Sequence, residues 1–208
     1  MTAAYARSQR LLEIGAISVF AGLCGWGLWR ITMAAQWWAL ALLLLAAPLA
    51  WLATDLLSGL LHWGLDSFGS VRTPVIGQSF IRPFREHHVD PQAMTHHDFI
   101  ETHGASCLAA LPFLVIASQL PLDDWCALLA QSFLLLVGLG ALATNQCHKW
   151  AHMNEAATPK VVRTLQRYRL ILPRGLHALH HTSPFDCHFC MSNGWLNSPF
   201  NALLRLCR

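Results

Sequence analysis

WWALALLLLAAPLAWLATDLLSGLLHWGLD, residues 37–66, is the stretch on which the fold turns. From Trp37 to Leu61 it carries one charged residue, Asp55. A helix crosses a bilayer core with about 20 apolar residues, so this run spans. Its end is different in kind. Asp55, His62 and Asp66 are seven and four positions apart, so on a continuous helix they share one face pointing into the bundle or its mouth.

Three further apolar stretches, 11–29, 105–121 and 125–147, join 37–61 as predicted spans. The stretch 105–121 carries Pro112, which a membrane helix tolerates when neighbours satisfy the freed carbonyl. Composition agrees, because 54% hydrophobic and 12% charged residues lie outside ordinary soluble usage. Without a second composition regime or an internal repeat, residues 1–208 read as a single membrane domain. The expected fold is therefore all-α, a multi-pass integral membrane helical bundle.

Charge sets its topology. With four spans, thirteen of the 14 basic residues, including Arg208, fall on one side, and the other keeps Arg30 and the acidic turn at Asp123 and Asp124. The positive-inside rule makes that basic side cytoplasmic, with both termini and segments 62–104 and 148–199. The basic residues are not interleaved with aromatics on a soluble face, which excludes nucleic acid as a partner. Trp37, Trp38, Trp63, Trp150 and Trp195 read as interfacial tryptophans. Seven scattered cysteines argue against a disulfide framework, and Cys187-His-Phe-Cys190 lacks the second pair of a zinc site. No small-residue cleavage site follows the first apolar stretch, so it is not read as a signal peptide.

Histidines gather at the same boundary. His62 ends the second span, and His148 and His152 in HKWAH are an i, i+4 pair at the end of the fourth. His177, His180 and His181 in HALHH have the spacing of one helical face, and FIRPFREHHVDPQAMTHHDFIETHG, residues 80–104, holds five more, with His87 and His88 adjacent. Neutral imidazole suits iron and zinc, and ionisable residues at membrane depth mark function. Eight or nine imidazoles exceed the four positions of one zinc, which points to two ions. His96, His103 and His188 belong to no helical pair and read as loop residues.

Other chemistries are excluded. None of the four Glu has a His three positions later, against a ferritin-like di-iron site, and neither HExxH nor GxSxG occurs. GLGALA at 138–143 lies inside a span with no preceding strand, so it is no dinucleotide fingerprint. A histidine-rich two-metal site facing the cytoplasm suits oxygen activation by non-haem iron.

The strings DLLSGLLHWGLDSFGS, FIRPFREHHVDP, THHDFIETHG, TNQCHKWAH, LPRGLHALHHTSP and FCMSNGWLNSP, in unbroken order from Asp55 to Pro199, closely resemble the plasmanylethanolamine desaturases of the Kua/CarF type. The resemblance implies a multi-pass membrane enzyme that uses O2 and two non-haem Fe ions. It would introduce the vinyl ether double bond into a 1-O-alkyl ether phospholipid, turning plasmanylethanolamine into plasmalogen. It further implies a membrane phospholipid as substrate and a separate electron donor, cytochrome b5-like or ferredoxin-like, since no haem, flavin or iron-sulfur motif is present. The family's ligand positions fall on His62, His87, His88, His97, His148, His152, His177, His180 and His181. Asp66, Glu86, Asp90, Asp98 and Glu101 sit in matching strings as candidates to orient the imidazoles. This chain departs from the pattern at His103, Ala105, Leu176 and Phe185. The alternatives are desaturation or hydroxylation of an acyl chain in another phospholipid and, from another class, a non-catalytic membrane metal-binding protein.

Overall fold

A computed structural model describes residues 7–34, 37–74 and 76–206. Eight α-helices occur among them: α1 (Arg7–Met33), α2 (Trp37–Ser67), α3 (Arg82–Val89), α4 (Phe99–Gln119), α5 (Trp125–His152), α6 (Lys160–Arg167), α7 (Arg174–His180) and α8 (Asn197–Leu206). A π-helical turn, Gly77–Ile81, leads into α3, and no strand is present among the described residues. The all-α expectation holds. Four helices are long and apolar enough to cross a membrane: Arg7–Met33, Trp38–Ser67, Phe99–Gln119 and Trp125–His152. The helices outrun the apolar segments that announce them. α2 continues past Leu61 to Ser67 and α5 past Cys147 to His152, which puts His62, Asp66, His148 and His152 on regular helix. Arg208 and the side chain of Trp37 lie outside the described residues.

The chain forms two compact units. One comprises Ala6–Thr54 and Phe99–Ala143, which is α1, α4 and the apolar lengths of α2 and α5. Lipid is as apolar as leucine, so its helices gain from close packing at small residues rather than from hydrophobic burial alone. A Cβ on Gly138 would stand 2.7 Å from Leu114, and one on Gly140 would stand 2.5 Å from Thr54 Oγ1. Phe20, Cys24, Cys107, Leu114, Leu128 and Leu135 fill the space between. At the end of α1, Arg30 donates to the carbonyls of Ser118 (2.7 Å) and Leu120 (2.6 Å), so its guanidinium satisfies the orphan carbonyls closing α4.

The second unit comprises Asp55–Asp98 and the chain from Thr144 onward. Just past the end of α2 stands Gly69, whose φ of +72° is the left-handed conformation that glycine adopts readily. Arg85 of α3 then donates to the carbonyls of Phe68 (3.1 Å) and Gly69 (3.0 Å), holding α3 against the end of α2. Phe189, Cys190, Phe200 and Leu204 make a small core of their own, with Trp63 and Leu196 against it.

Gly104 tests the packing of the first unit. A Cβ there would lie 2.3 Å from Cβ of the buried Glu13 on α1. Gly104→Ala is expected to force α1 and α4 apart and to cost about 1–3 kcal/mol, read as a lower thermal unfolding temperature in detergent.

Candidate metal centre

Helix ends bring the imidazoles together. α2 supplies His62, α3 His87 and His88, α5 His148 and His152, and α7 with its C-cap His177, His180 and His181. Their ring nitrogens form two groups, each with all ligand atoms within 4.8 Å of one another. One is His87, His148, His152, His177 and His181; the other is His62, His87, His88 and His180. The i, i+3, i+4 pattern of α7 thus divides, with His177 and His181 in the first group and His180 in the second. His87 belongs to both.

Eight of the nine ligand positions expected from the sequence are in these groups. His97 is in neither; it follows a 3-10 turn, and its carbonyl accepts a hydrogen bond from Lys149 Nζ. His96, His103 and His188 are also outside both groups. Among the expected carboxylates, Asp66 meets imidazoles directly, at 3.1 Å from His88 Nε2 and 3.2 Å from His62 Nε2. Glu86 instead pairs with Arg82 at 3.2 Å. Asp90 is the C-cap of α3, Asp98 precedes α4, and Glu101 lies in the first turn of α4, where a negative charge suits the helix dipole. Phe185, at a departure from the family pattern, sets its ring edge against His88 with centroids 5.3 Å apart.

Two features show that these residues fit a metal. The first is a set of fixed tautomers. His62 Nδ1 donates to the Phe189 carbonyl at 3.2 Å, His180 Nδ1 to the Cys187 carbonyl at 2.8 Å, and His87 Nδ1 to the Phe84 carbonyl. A carbonyl only accepts, so each ring carries its proton on Nδ1 and turns the Nε2 lone pair inward. The buried His87 Nε2 has no hydrogen-bond partner.

The second is a triangle of nitrogens. Nε2 of His148 lies 2.9 Å from that of His177 and 3.1 Å from that of His152, and the His177 to His152 edge is 2.8 Å. A ring nitrogen is either a donor or an acceptor, never both. Three of them in mutual contact therefore cannot pair off, and at least one edge sets like against like. A cation shared by the three lone pairs removes the conflict. Nitrogens about 2.1 Å from one ion stand roughly 3 Å apart when their bonds are at right angles, which is the spacing seen.

One buried carboxylate frames this arrangement. Asp55 Oδ1 accepts the backbone N–H groups of Ser192, Asn193 and Gly194, each at 3.0 Å, and Oδ2 accepts that of Leu196 at 3.1 Å. Ser58 adds the N–H of Met191 at 2.9 Å. The loop so fixed begins at Phe189, whose carbonyl sets the tautomer of His62. Sequence spacing placed Asp55 on the face of His62 and Asp66, but its partners are backbone groups with no sequence signature.

Four helices long and apolar enough to cross a membrane, with two adjoining imidazole groups that could hold metal, define the class, and the chain belongs to the lipid desaturase family, whose domain matches residues 51–205. It is 44% identical over 198 residues to a plasmanylethanolamine desaturase of Myxococcus xanthus, covering 94% of this chain and 68% of that one. It is also 38% identical over 213 residues to plasmanylethanolamine desaturase 1 of Mus musculus, covering 98% and 76%. To the chloroplastic fatty acid desaturase 4 of Arabidopsis thaliana it is 32% identical over 155 residues, covering 74% and 46%. No solved structure matches the chain.

Two expectations follow. Asp55→Ala leaves four backbone N–H groups, three of them buried, without an acceptor and is expected to cost at least about 3 kcal/mol, measured by thermal unfolding in detergent. The second concerns pH. Burial, helped by neighbouring imidazoles, lowers His87 and His177 well below the ordinary value of 6.5, His180 to about 2 and His181 to about 4. Below pH 6.5 the unfolded chain binds protons that the folded site refuses. Stability of the metal-free protein is therefore complete above 6.5 and falls as pH drops toward 4; a melting temperature that stays flat across this window contradicts the reading.

Proposed function

We propose that the chain is a plasmanylethanolamine desaturase, removing two hydrogens from the 1-O-alkyl chain of an ether phospholipid to leave the vinyl ether of a plasmalogen. The observation that carries this is the pair of imidazole groups at helix ends, in a chain alike over nearly its whole length to two proteins of that name. The eight grouped histidines hold two iron ions, one to each group. When bound, the irons supply the activation of O2 that makes the two hydrogens removable. Because Nδ1 of His87 is committed to a carbonyl, its one remaining lone pair serves a single ion. The imidazoles then divide four and four, or five and three.

The overall reaction takes one O2, two electrons and two protons for each alkene, with two waters as product. The electrons come from a separate protein, cytochrome b5-like or ferredoxin-like, because the sequence carries no haem, flavin or iron-sulfur motif. The concentration of basic residues on one side of the four spans supports a metal centre and termini on the cytoplasmic side. The chain's part is positional: carbonyls of Phe84, Cys187 and Phe189 hold the ring tautomers, and apolar helix faces align the alkyl chain and exclude water.

A second reading, desaturation of an acyl chain, draws on the likeness to the chloroplastic fatty acid desaturase. Lipid mass spectrometry separates the two in cells fed a 1-O-alkyl ether lipid. The intact protein is expected to yield an acid-labile product two mass units lighter, which His148→Ala and His181→Ala reduce to background. A histidine-dependent alkene confined to acyl chains would replace the first reading with the second. No histidine-dependent change in a cell that holds the iron-loaded protein and a competent donor would sink both.

A further inference from the structure

The second imidazole group contains a contact that imidazole ligands alone do not explain. Asp66 Oδ2 stands 3.2 Å from Nε2 of His62, 3.1 Å from Nε2 of His88 and 3.6 Å from Nε2 of His180. His180 Nε2 is in turn 3.2 Å from His88 Nε2. The carboxylate thus sits where three ring nitrogens converge, on the inner side of the rings. It is not behind them, where a group that only orients a ligand belongs.

The tautomers make this informative. His62 and His180 spend their protons on the carbonyls of Phe189 and Cys187, so both present a lone pair to Asp66. The 3.2 Å approach of His62 Nε2 to the carboxylate is accordingly not a hydrogen bond, and that nitrogen has no hydrogen-bond partner. His88 alone among the three can donate to Asp66, through Nε2, while no ion is bound; as a ligand through that nitrogen it would carry its proton on Nδ1 instead. That bond accounts for one contact and leaves two acceptors facing a third. Acceptors meet at such distances only around a positive centre, and the separations match the roughly 3 Å spacing of ligands that share one ion at about 2.1 Å. The remaining oxygen, Asp66 Oδ1, is buried with no hydrogen-bond partner.

We propose that Asp66 is itself a ligand of the second metal ion, beside His62, His88 and His180, so that the two ions are chemically unequal. This rests on the reading of the site as a two-metal centre. The first ion has an all-nitrogen environment, whereas the second has an anionic oxygen, a harder donor that favours the higher charge on its metal. A carboxylate that merely held the ring of His88 would leave the second ion in place with nitrogen ligands only.

Iron content and Mössbauer spectra, neither of which requires turnover, test the proposal. The intact protein, purified in detergent and loaded with ferrous iron under nitrogen, is expected to retain two irons per chain with two distinct quadrupole doublets of equal area. Asp66→Asn, of the same shape but without the anionic oxygen, is expected to fall to one iron and to keep the doublet of the first group. Asp66→Glu keeps the carboxylate and is expected to retain both irons with only one doublet altered, which distinguishes lost ligation from a lost fold. Two irons with the intact spectrum in Asp66→Asn would overturn the assignment, as would a single doublet or a single iron in the intact protein. Failure of the lipid reading shows elsewhere, as two unequal irons in a protein that makes no vinyl ether.

Discussion

The Asp55 carboxylate takes four backbone N–H groups from the loop at residues 192–196, and Ser58, one turn along the same helix, takes a fifth. Burying an anion is costly unless hydrogen bonds replace its hydration, and successive amides curled round one oxygen do this. In return the loop acquires one conformation. Gly194 makes the curl possible with a φ of +73°, and the loop is tied further by Thr144 Oγ1 to Ser192 Oγ at 2.6 Å and by Leu172 N to the Ser192 carbonyl at 2.9 Å. Gly59 lets the strand of chain at Cys190 lie directly on α2, since a Cβ there would stand 2.6 Å from Cys190 Sγ. Phe189, at the start of this loop, is then fixed where its carbonyl receives the proton of His62.

The same economy runs through the metal centre. Backbone carbonyls at Phe84, Cys187 and Phe189 choose the tautomers of three imidazoles, and no side-chain acid is spent on them. Rings so held keep their lone pairs aimed inward before any ion arrives, which lowers the reorganisation that binding would otherwise require. Arg85, by bonding the carbonyls that close α2, holds α3 so that His87 and His88 reach the rings of α5 and α7. Burial lowers the pKa of His87 and of His180, which favours their neutral form. Together these devices make a site that could hold a cation.

Four long apolar helices were legible in the chain because an apolar run approaching the bilayer core in length has few alternatives to a helix. Spacing also announced the pairs His148 and His152 and the run His177, His180 and His181, since i, i+3 and i+4 residues share a face wherever a helix forms. The division of α7 between the two groups was not legible, nor was the place of His87 in both. Both depend on where rings from four helix ends meet. His97 sits in a matching string, follows a 3-10 turn and lies outside both groups, a placement that no spacing announced.

By itself, then, the sequence determined an all-helical membrane protein with its imidazoles collected at helix ends, because hydropathy and helical period act over a turn or a bilayer thickness. Tertiary structure alone decided which nitrogen of His62, His87 and His180 carries the proton, how the rings divide, and that Asp55 serves a distant loop while Asp66 faces the nitrogens of the second group. Those outcomes turn on angles and on separations of about 3 Å between groups far apart in the chain, and on backbone carbonyls and amides that every residue possesses and no sequence pattern marks.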